Sequence, residues 1–358
     1  MDSKNKNKDF EYIDNHHALQ KAAEEWKQCK ELGIDIECEN NLHHYGSYIS
    51  LIQISSKDQS WIIDVLKLKN IPQVIEMIGN PQQQKIFHDV SFDLRILCDT
   101  YKCHPKNIFD TQLAAIFLGK ENLGLGSLLE GYLNVKKEQK FQMADWTKRP
   151  LSEEMLDYAV NDTKYLIHLR DTLKEELKSM NRLSWVEEEC SLLETKEWKQ
   201  KKQSFIDVRG VKTLSQNEMS IFRQLFILRD KLARKVDRPV HFIMHNKTLF
   251  EISKNPPRSV NDIRKIKNIH PIVKRQAELF LEAFKKVKSP KVIIDHEKPK
   301  KFSDEQKRKF DELENLRDQI SQKISIAKHL LMSKDQMIDI VLNNSYRSLR
   351  QWQKNLVK

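Results

Sequence analysis

The stretch ELGIDIECEN, residues 31–40, places two carboxylates, Asp35 and Glu37, at the end of an apolar segment that is predicted to be a strand. Side chains alternate between the two faces of a strand, so both carboxylates share one face and Ile36 points to the other. Two negative charges on one face repel each other unless a cation lies between them, and Mg²⁺ and Mn²⁺ prefer carboxylate oxygens. Taken alone, the pair favours a solvated strand end over a metal site.

The segments that follow predict an α/β domain with a mixed sheet. β-branched and aromatic residues indicate strands in SYISLIQIS (47–55), SWIIDVL (60–66) and QKIFHDV (84–90). Apolar residues at helical spacing indicate helices in SFDLRILCDTY, directly after the last of these strands, and in residues 151–180. Strands followed by mixed strands and helices are typical of a sheet flanked by helices.

The composition is that of a globular chain without a membrane span. The chain has 358 residues, of which 32% are charged, and its polar N-terminus lacks the apolar core of a signal peptide. Its five cysteines are odd in number and form no CxxC pair, which predicts reduced thiols. Together these features predict a cytoplasmic protein that does not enter a membrane.

The positive charge is concentrated in the C-terminal part of the chain. Residues 1–209 carry a net charge of −5, and residues 210–358 carry +16. A polyanionic partner such as nucleic acid is one interpretation, and a merely solubilising set of basic helices is the other.

Further residues complete the acidic pattern. Asp93 lies in the first turn of the helix predicted after the strand QKIFHDV, and Tyr158 and Asp162 lie four residues apart in YAVNDTKYL. Spacing of four places the phenol and the carboxylate on one face of a helix. Four carboxylates and a phenol are sufficient for a two-metal phosphoryl-transfer site, in which the phenol orients the attacking water.

These residues, with their spacing, resemble the DEDDy class of 3′→5′ exonucleases. The stretch KFQMADWTKRPLSEEMLDYAVNDTKYL (140–166) resembles the signature of the ribonuclease D group, and IFDTQLAA (108–115) is similar to the segment that precedes it. The same stretch of sequence is also similar to the 3′ exonuclease of the eukaryotic nuclear exosome.

The resemblance implies an RNase H-like α/β exonuclease domain. It implies that Asp35, Glu37, Asp93 and Asp162 hold two divalent ions, Mg²⁺ or Mn²⁺, and that Tyr158 positions the water. Cys38 departs from the aromatic residue or histidine usual after the DxE pair, and this leaves the packing of the terminal base open. His88, beside the site, is interpreted either as a substrate contact or as a hydrogen-bonded core residue.

The helical part resembles the HRDC fold. The stretch from Leu228 to Ile269 carries the match, and residues 304–358 look like a second, more divergent copy. The predicted organisation is listed here in chain order: an exonuclease domain (1–183), a helical connector (184–214), a first HRDC domain (215–288), a linker (289–303) and a second HRDC domain (304–358).

The predicted function is a metal-dependent 3′→5′ exoribonuclease that releases nucleoside 5′-monophosphates. Precursor tRNAs and other structured small RNAs with a 3′ extension are the expected substrates, and a monomer is expected. Two alternatives stay open: a 3′→5′ DNA exonuclease, since no residue is identified as a reader of the 2′-hydroxyl, and a non-catalytic RNA-binding protein of the same fold.

Overall fold

The structure, a computed structural model, describes residues 9–138, 140–199, 203–285 and 302–357. Its strands are β1 (Phe10–Ile13), β2 (Glu31–Asn40), β3 (Ser47–Ser55), β4 (Ser60–Asp64), β5 (Gln84–Phe87) and β6 (Ile108–Asp110). The helices up to residue 199 are α1 (His16–Trp26), α2 (Val65–Leu68), α3 (Pro72–Gly79), α4 (Ser91–Tyr101), α5 (Thr111–Phe117), α6 (Leu125–Leu133), α7 (Glu153–Asn161), α8 (Leu166–Ser179) and α9 (Leu183–Thr195).

The remaining described residues form helices and short 3₁₀ turns. The turns are Phe205–Asp207 and Val211–Thr213. The helices are α10 (Gln216–Val236), α11 (Val240–Ile243), α12 (Asn246–Lys254), α13 (Val260–Lys265), α14 (Pro271–Arg275), α15 (Ala277–Lys285), α16 (Asp304–Ile324), α17 (Lys328–Leu331), α18 (Lys334–Asn343) and α19 (Gln351–Val357). The predicted linker, 289–303, lies outside the described residues except at its last two positions.

The six strands form one mixed sheet in the order β1-β4-β3-β2-β5-β6. β1 pairs with β4, β2 with β5 and β5 with β6 in parallel, whereas β3 and β4 are antiparallel. The predicted α/β class with a mixed sheet and flanking helices is therefore confirmed. Because β5 lies beside β2, the helix that follows it, α4, begins near the end of β2 that carries the carboxylates.

A close backbone approach joins β2 to the turn after α7. A Cβ atom added to Gly33 would lie 2.8 Å from the carbonyl oxygen of Thr163, so only glycine fits there. The Thr163 hydroxyl also bonds Ser55 Oγ on β3 at 2.6 Å. These two contacts hold Asp162, the residue before Thr163, against the strand that carries Asp35.

Replacing Gly33 by alanine should lower the free energy of unfolding by about 1–3 kcal/mol, because overpacking of a close contact costs that amount. It should also weaken metal binding, because the turn that carries Asp162 must move away from β2. The matched control is Gly131→Ala in α6, where an added Cβ meets nothing within 4 Å. Equal thermal unfolding midpoints for the two variants would contradict this role of Gly33.

The chain divides into two compact units. The first comprises Met1–Glu37, Ile49–Lys199 and Pro299–Lys358, and the second comprises Cys38–Tyr48 and Gln200–Lys298. The domain boundaries given by the sequence stay predictions, and compactness groups the segments differently. Both the N-terminal part of the predicted connector and the predicted second HRDC domain fall within the first unit.

Within the first unit, the C-terminal helices pack against helices of the α/β part. The Trp352 ring stacks on Trp185 of α9, with centroids 5.3 Å apart, and meets the edge of Phe117 at 5.1 Å. Its Nε1–H donates to Glu189 at 2.9 Å. This aromatic contact, which we call the Trp352 anchor, is almost fully buried.

Polar contacts extend the Trp352 anchor on both sides. The carboxylate of Glu188 accepts hydrogen bonds from the backbone N–H groups of Gln351 and Trp352 at the start of α19. The buried Arg182 guanidinium donates to the carbonyl oxygens of Phe117 and Ile324. The C-terminal helices are therefore bonded to the α/β part of the same unit both at the end of α16 and at the start of α19.

In the second unit, the helices α10 to α15 surround one apolar core. The segment 38–48 packs on α10, where Tyr45 Oη donates to Asp230 at 2.9 Å and His44 Nδ1 lies 2.7 Å from Asp237. Among the described residues, no helix is both long and apolar enough to cross a membrane.

Candidate active site

Three of the predicted carboxylates come together beside the sheet. One carboxylate oxygen from each of Asp35, Glu37 and Asp162 lies within 4.8 Å of the others. Asp35 and Glu37 extend from β2 on one face, and Asp162 caps the C-terminal end of α7. Such a cluster can hold divalent cations, since oxygens of three carboxylates meet at one point.

The electrostatics of the cluster favour a bound cation. Burial raises the pKa of Asp35 to about 7, and the charge of Asp162 adds to this effect. Burial also raises the pKa of Glu37 well above its usual value, with Asp35 and Asp162 contributing. The protein thus holds carboxylates where ionisation is costly, and a divalent ion between them would relieve that cost.

Asp93 lies near this cluster but outside the 4.8 Å set. It sits in the first turn of α4 and is buried. Burial raises the pKa of its carboxyl well above the usual value, followed by the charge of Asp35. Asp93 in turn raises the pKa of Glu37, so the four predicted carboxylates share one electrostatic environment.

Tyr158 is held between aromatic rings. Phe141 meets it edge-on at a centroid distance of 5.8 Å, and Trp146 lies tilted at 6.0 Å. Burial, then the charge of Asp162, raises the pKa of the Tyr158 phenol. The hydroxyl therefore stays protonated at neutral pH and is a fixed donor beside the acidic cluster.

The sequence analysis missed one residue of the site, Lys137. Its Nζ lies 2.7 Å from Asp162 Oδ1 and 3.9 Å from the centroid of the Tyr158 ring. Burial alone would lower the pKa of Lys137, but Asp162 and Tyr158 outweigh it, so the net pKa is raised. The run NVKKEQK around Lys137 offers three lysines and no helical period, so the sequence singles out none of them.

His88 and Cys38 have different surroundings. His88 Nδ1 lies 3.0 Å from Thr111 Oγ1, which itself donates to the carbonyl oxygen of Phe87. Burial lowers the pKa of His88 to about 4, so its ring is neutral. This is the environment of a hydrogen-bonded core histidine, and a substrate contact by His88 stays a prediction. Cys38 is partly buried, and all five cysteines are free thiols.

Arg149 takes a structural role. Its guanidinium binds Asp64 at the end of β4 through Nε at 2.6 Å and through a second nitrogen at 2.9 Å. A further nitrogen donates to the carbonyl oxygen of Trp146 at 2.7 Å. Arg149 therefore ties the loop that carries Trp146 to the sheet, and so helps to position the rings around Tyr158.

Comparison with known families places these residues in context. Residues 10–178 match the family model described as 3′-5′ exonuclease, and residues 218–284 match that of the HRDC domain. The chain therefore contains a region similar to 3′-5′ exonucleases, followed by a region similar to the HRDC domain. The exonuclease domain contains every residue of the acidic cluster and Tyr158. The resemblance inferred from the sequence is thus confirmed, whereas the second HRDC copy stays a prediction.

Relatives of the exonuclease domain include exosome proteins. The chain is 29% identical over 280 residues to the human protein named exosome complex component 10. The alignment covers 74% of this chain and 31% of the human protein. It is 28% identical over 306 residues to exosome complex exonuclease RRP6 of Saccharomyces cerevisiae, covering 78% and 41%. The chain therefore spans less than half the length of these curated relatives.

Solved structures share the architecture. The catalytic core of RRP6 from Trypanosoma brucei superposes with a TM-score of 0.69 at 26% identity, covering 77% of this chain and 79% of that one. Escherichia coli RNase D, described as an exoribonuclease involved in structured RNA processing, superposes with a TM-score of 0.72 at 20% identity, covering 97% and 96%. The second likeness shows a shared fold over nearly the whole chain.

Proposed function

We propose that the chain is a metal-dependent 3′→5′ exoribonuclease that releases nucleoside 5′-monophosphates from the 3′ end of RNA. The observation that supports this most directly is the meeting of Asp35, Glu37 and Asp162 in a domain of the 3′-5′ exonuclease family. RNA as substrate is supported by the likeness to Escherichia coli RNase D, which is described as an exoribonuclease involved in structured RNA processing.

The residues present fit a pair of divalent ions. Asp35, Glu37 and Asp162 would hold one ion within their 4.8 Å set, and Asp93 would join Asp35 around a second. When bound, such ions activate water and stabilise the charge that develops on the phosphate. Mg²⁺ and Mn²⁺ both suit an all-carboxylate set, and we make no choice between them.

Two side chains of the site, Tyr158 and Lys137, would orient the attacking water and the scissile phosphate. The protonated Tyr158 hydroxyl can hold a water beside the cluster, because neighbouring rings restrict the movement of its ring. Lys137 is poised to offset negative charge next to Asp162, where the scissile phosphate would approach. Neither group forms a covalent intermediate, so the proposed reaction is direct hydrolysis.

The test of this proposal compares 5′-labelled single strands of RNA and DNA of one sequence. With Mg²⁺ or Mn²⁺, the full chain should shorten the RNA strand one nucleotide at a time, and EDTA should stop the reaction. Preferential shortening of the DNA strand would favour the alternative of a DNA exonuclease. No shortening of either strand, with RNA still bound, would favour a non-catalytic binding protein.

Replacement of Tyr158 by phenylalanine should slow hydrolysis by about 10²–10³-fold, the contribution of a group that orients a water or transfers a proton. Metal affinity measured by calorimetry should stay unchanged, because the carboxylates are intact. The matched control is Tyr165→Phe, which removes the hydroxyl of a partly buried tyrosine at the start of α8. Wild-type turnover in Tyr158→Phe would make Tyr158 a packing residue.

Finer aspects of the function rest on the sequence and on the relatives. We propose precursor tRNAs and other structured small RNAs as substrates, with a monomeric enzyme acting in the cytoplasm. The exosome names of the relatives favour a second possibility, in which the chain works with an exosome-like assembly. Affinity purification of the full chain from its own cells distinguishes the two, since an assembly would co-purify in fixed stoichiometry.

A further inference from the structure

The second unit contains a positively charged cleft around the start of α12. It has a volume of about 660 Å³, and its lining includes Arg229, His241, His245, Lys247 and Asn268. None of the described residues that line it carries a carboxylate. Uncompensated positive charge around a concave surface is the usual setting for binding an anion.

The N-terminus of α12 lacks a side-chain cap. His245 is the N-cap residue, and its side chain accepts no hydrogen bond from the first turn. The amide groups of Asn246, Lys247 and Thr248 therefore point out of the helix without the capping bond that serine or aspartate would supply. A nine-residue helix offers these amides, with its dipole, to a negatively charged group.

A buried and incompletely bonded arginine supplies the second, independent observation. Arg229 is only 3% exposed, and no carboxylate among the described residues lies within ion-pair distance of it. One of its terminal nitrogens donates to the carbonyl oxygen of Met244 and to Asn246 Oδ1, at 3.0 and 2.7 Å. Its buried Nε has no hydrogen-bond partner in the described part of the chain.

Arg229 is buried without a carboxylate partner among the described residues, and its guanidinium lies over the Phe226 ring at 5.2 Å. A buried charge is normally paired, because removing it from water without a counter-charge is expensive. The buried Arg170 is paired in this way with Glu31 and Asp171, whereas the buried Arg182, in the part of the chain that the structure describes, bonds only to the carbonyl oxygens of Phe117 and Ile324. Arg229 holds Asn246 at the start of α12 instead, and so its positive charge lies beneath the uncapped amides.

We propose that this cleft binds a phosphate group of the RNA substrate, held by the first turn of α12, by Lys247 and by the charge of Arg229. The inference rests on the proposed function only for the identity of the ligand as RNA. It assigns to the HRDC domain one defined phosphate contact rather than a diffuse basic surface. Structured RNAs long enough to reach this cleft would gain affinity that short oligonucleotides lack.

The test uses two lysines of one helix. Lys247→Glu at the start of α12 reverses the charge at the cleft, whereas Lys254→Glu makes the same change in the last turn, outside the cleft lining. A third variant, His245→Asp, fills the capping position with a residue that stabilises helix starts. Loss of RNA binding by the His245→Asp variant therefore does not come from unfolding of α12.

The measurement is fluorescence anisotropy of the full chain with a labelled tRNA-sized RNA in EDTA, repeated across salt concentrations. Lys247→Glu and His245→Asp should each weaken binding about ten-fold and reduce the salt slope by about one unit, the loss of one phosphate contact. Lys254→Glu should stay within about two-fold of the wild type. Equal weakening by the two lysine variants, or no weakening by Lys247→Glu, would overturn the proposal.

Hydrolysis of a five-nucleotide RNA with Mg²⁺ separates this inference from the proposed function. All three variants should hydrolyse it at the wild-type rate, because the acidic cluster is unchanged. If the wild type fails to hydrolyse it, the proposed function is wrong. The anisotropy measurement in EDTA still tests whether the cleft binds RNA, because it does not depend on hydrolysis. If the wild type hydrolyses it and Lys247→Glu binds the long RNA normally, only the cleft assignment is wrong.

Discussion

Replacement of Asp35 by asparagine should abolish hydrolysis, by at least about 10³-fold, while the chain stays folded. The carboxylate belongs to the set that would hold the metal, and metal ions contribute several kcal/mol of transition-state stabilisation. The same substitution removes a carboxyl group whose pKa is raised to about 7 by burial and by the charge of Asp162. In EDTA near pH 8, the variant should therefore be more stable than the wild type by on the order of 1–3 kcal/mol.

The opposite signs of these two effects make the prediction specific. Mg²⁺ should raise the thermal unfolding midpoint of the wild type and have little effect on Asp35→Asn, because ligands stabilise the state that binds them. The matched control is Asp157→Asn, an exposed aspartate on α7 that lies outside the cluster. Near-native turnover in Asp35→Asn would show that the metal site has been assigned to the wrong residues.

Removal of the Trp352 side chain should destabilise the first unit strongly. Trp352 is 2% exposed and packs against Trp185 and Phe117. Truncation of a buried tryptophan to alanine costs about 3–5 kcal/mol, which lowers the thermal midpoint by at least about 6 °C in a unit of this size. The measurement is differential scanning calorimetry of the full chain.

The control for the Trp352 anchor lies on the same helix. Asn355→Ala changes an exposed residue of α19 and should alter stability by no more than about 0.5 kcal/mol. Equal midpoints for Trp352→Ala and Asn355→Ala would contradict the packing described here.

Features encoded locally could be predicted from the sequence. The strand predicted at 47–55 has the bounds of β3, because Tyr48, Ile49, Ile52 and Ile54 recur within a segment of strand length. The DxE pair and the Tyr158–Asp162 spacing follow from the geometry of one strand and one helix. Asp93 is identified from its place in the first turn of the helix after QKIFHDV, but its closeness to the other carboxylates depends on a strand pairing that the sequence does not show.

Features that depend on tertiary contacts could not be predicted. β1 has four residues, too few for a periodic signal, and it is stabilised by pairing with β4. Lys137 joins the site from a loop without regular spacing. The amphipathic pattern of residues 304–358 predicts helices but not their partner, so the packing of Trp352 on α9 had no sequence signal. The start of α4 likewise depends on a distant residue, because the Asp110 carboxylate accepts hydrogen bonds from the amides of Asp89 and Val90, just before the helix begins at Ser91.

The central claim is that the acidic cluster removes nucleotides one at a time from a 3′ end. The most direct test follows one RNA labelled in turn at its 5′ end and in its last nucleotide, with the full chain and Mg²⁺. The account predicts a ladder of progressively shorter 5′-labelled strands, and a nucleoside 5′-monophosphate as the first and only product that carries the 3′ label. Labelled oligonucleotides released from the 3′-labelled strand would contradict it, because they would show internal cleavage.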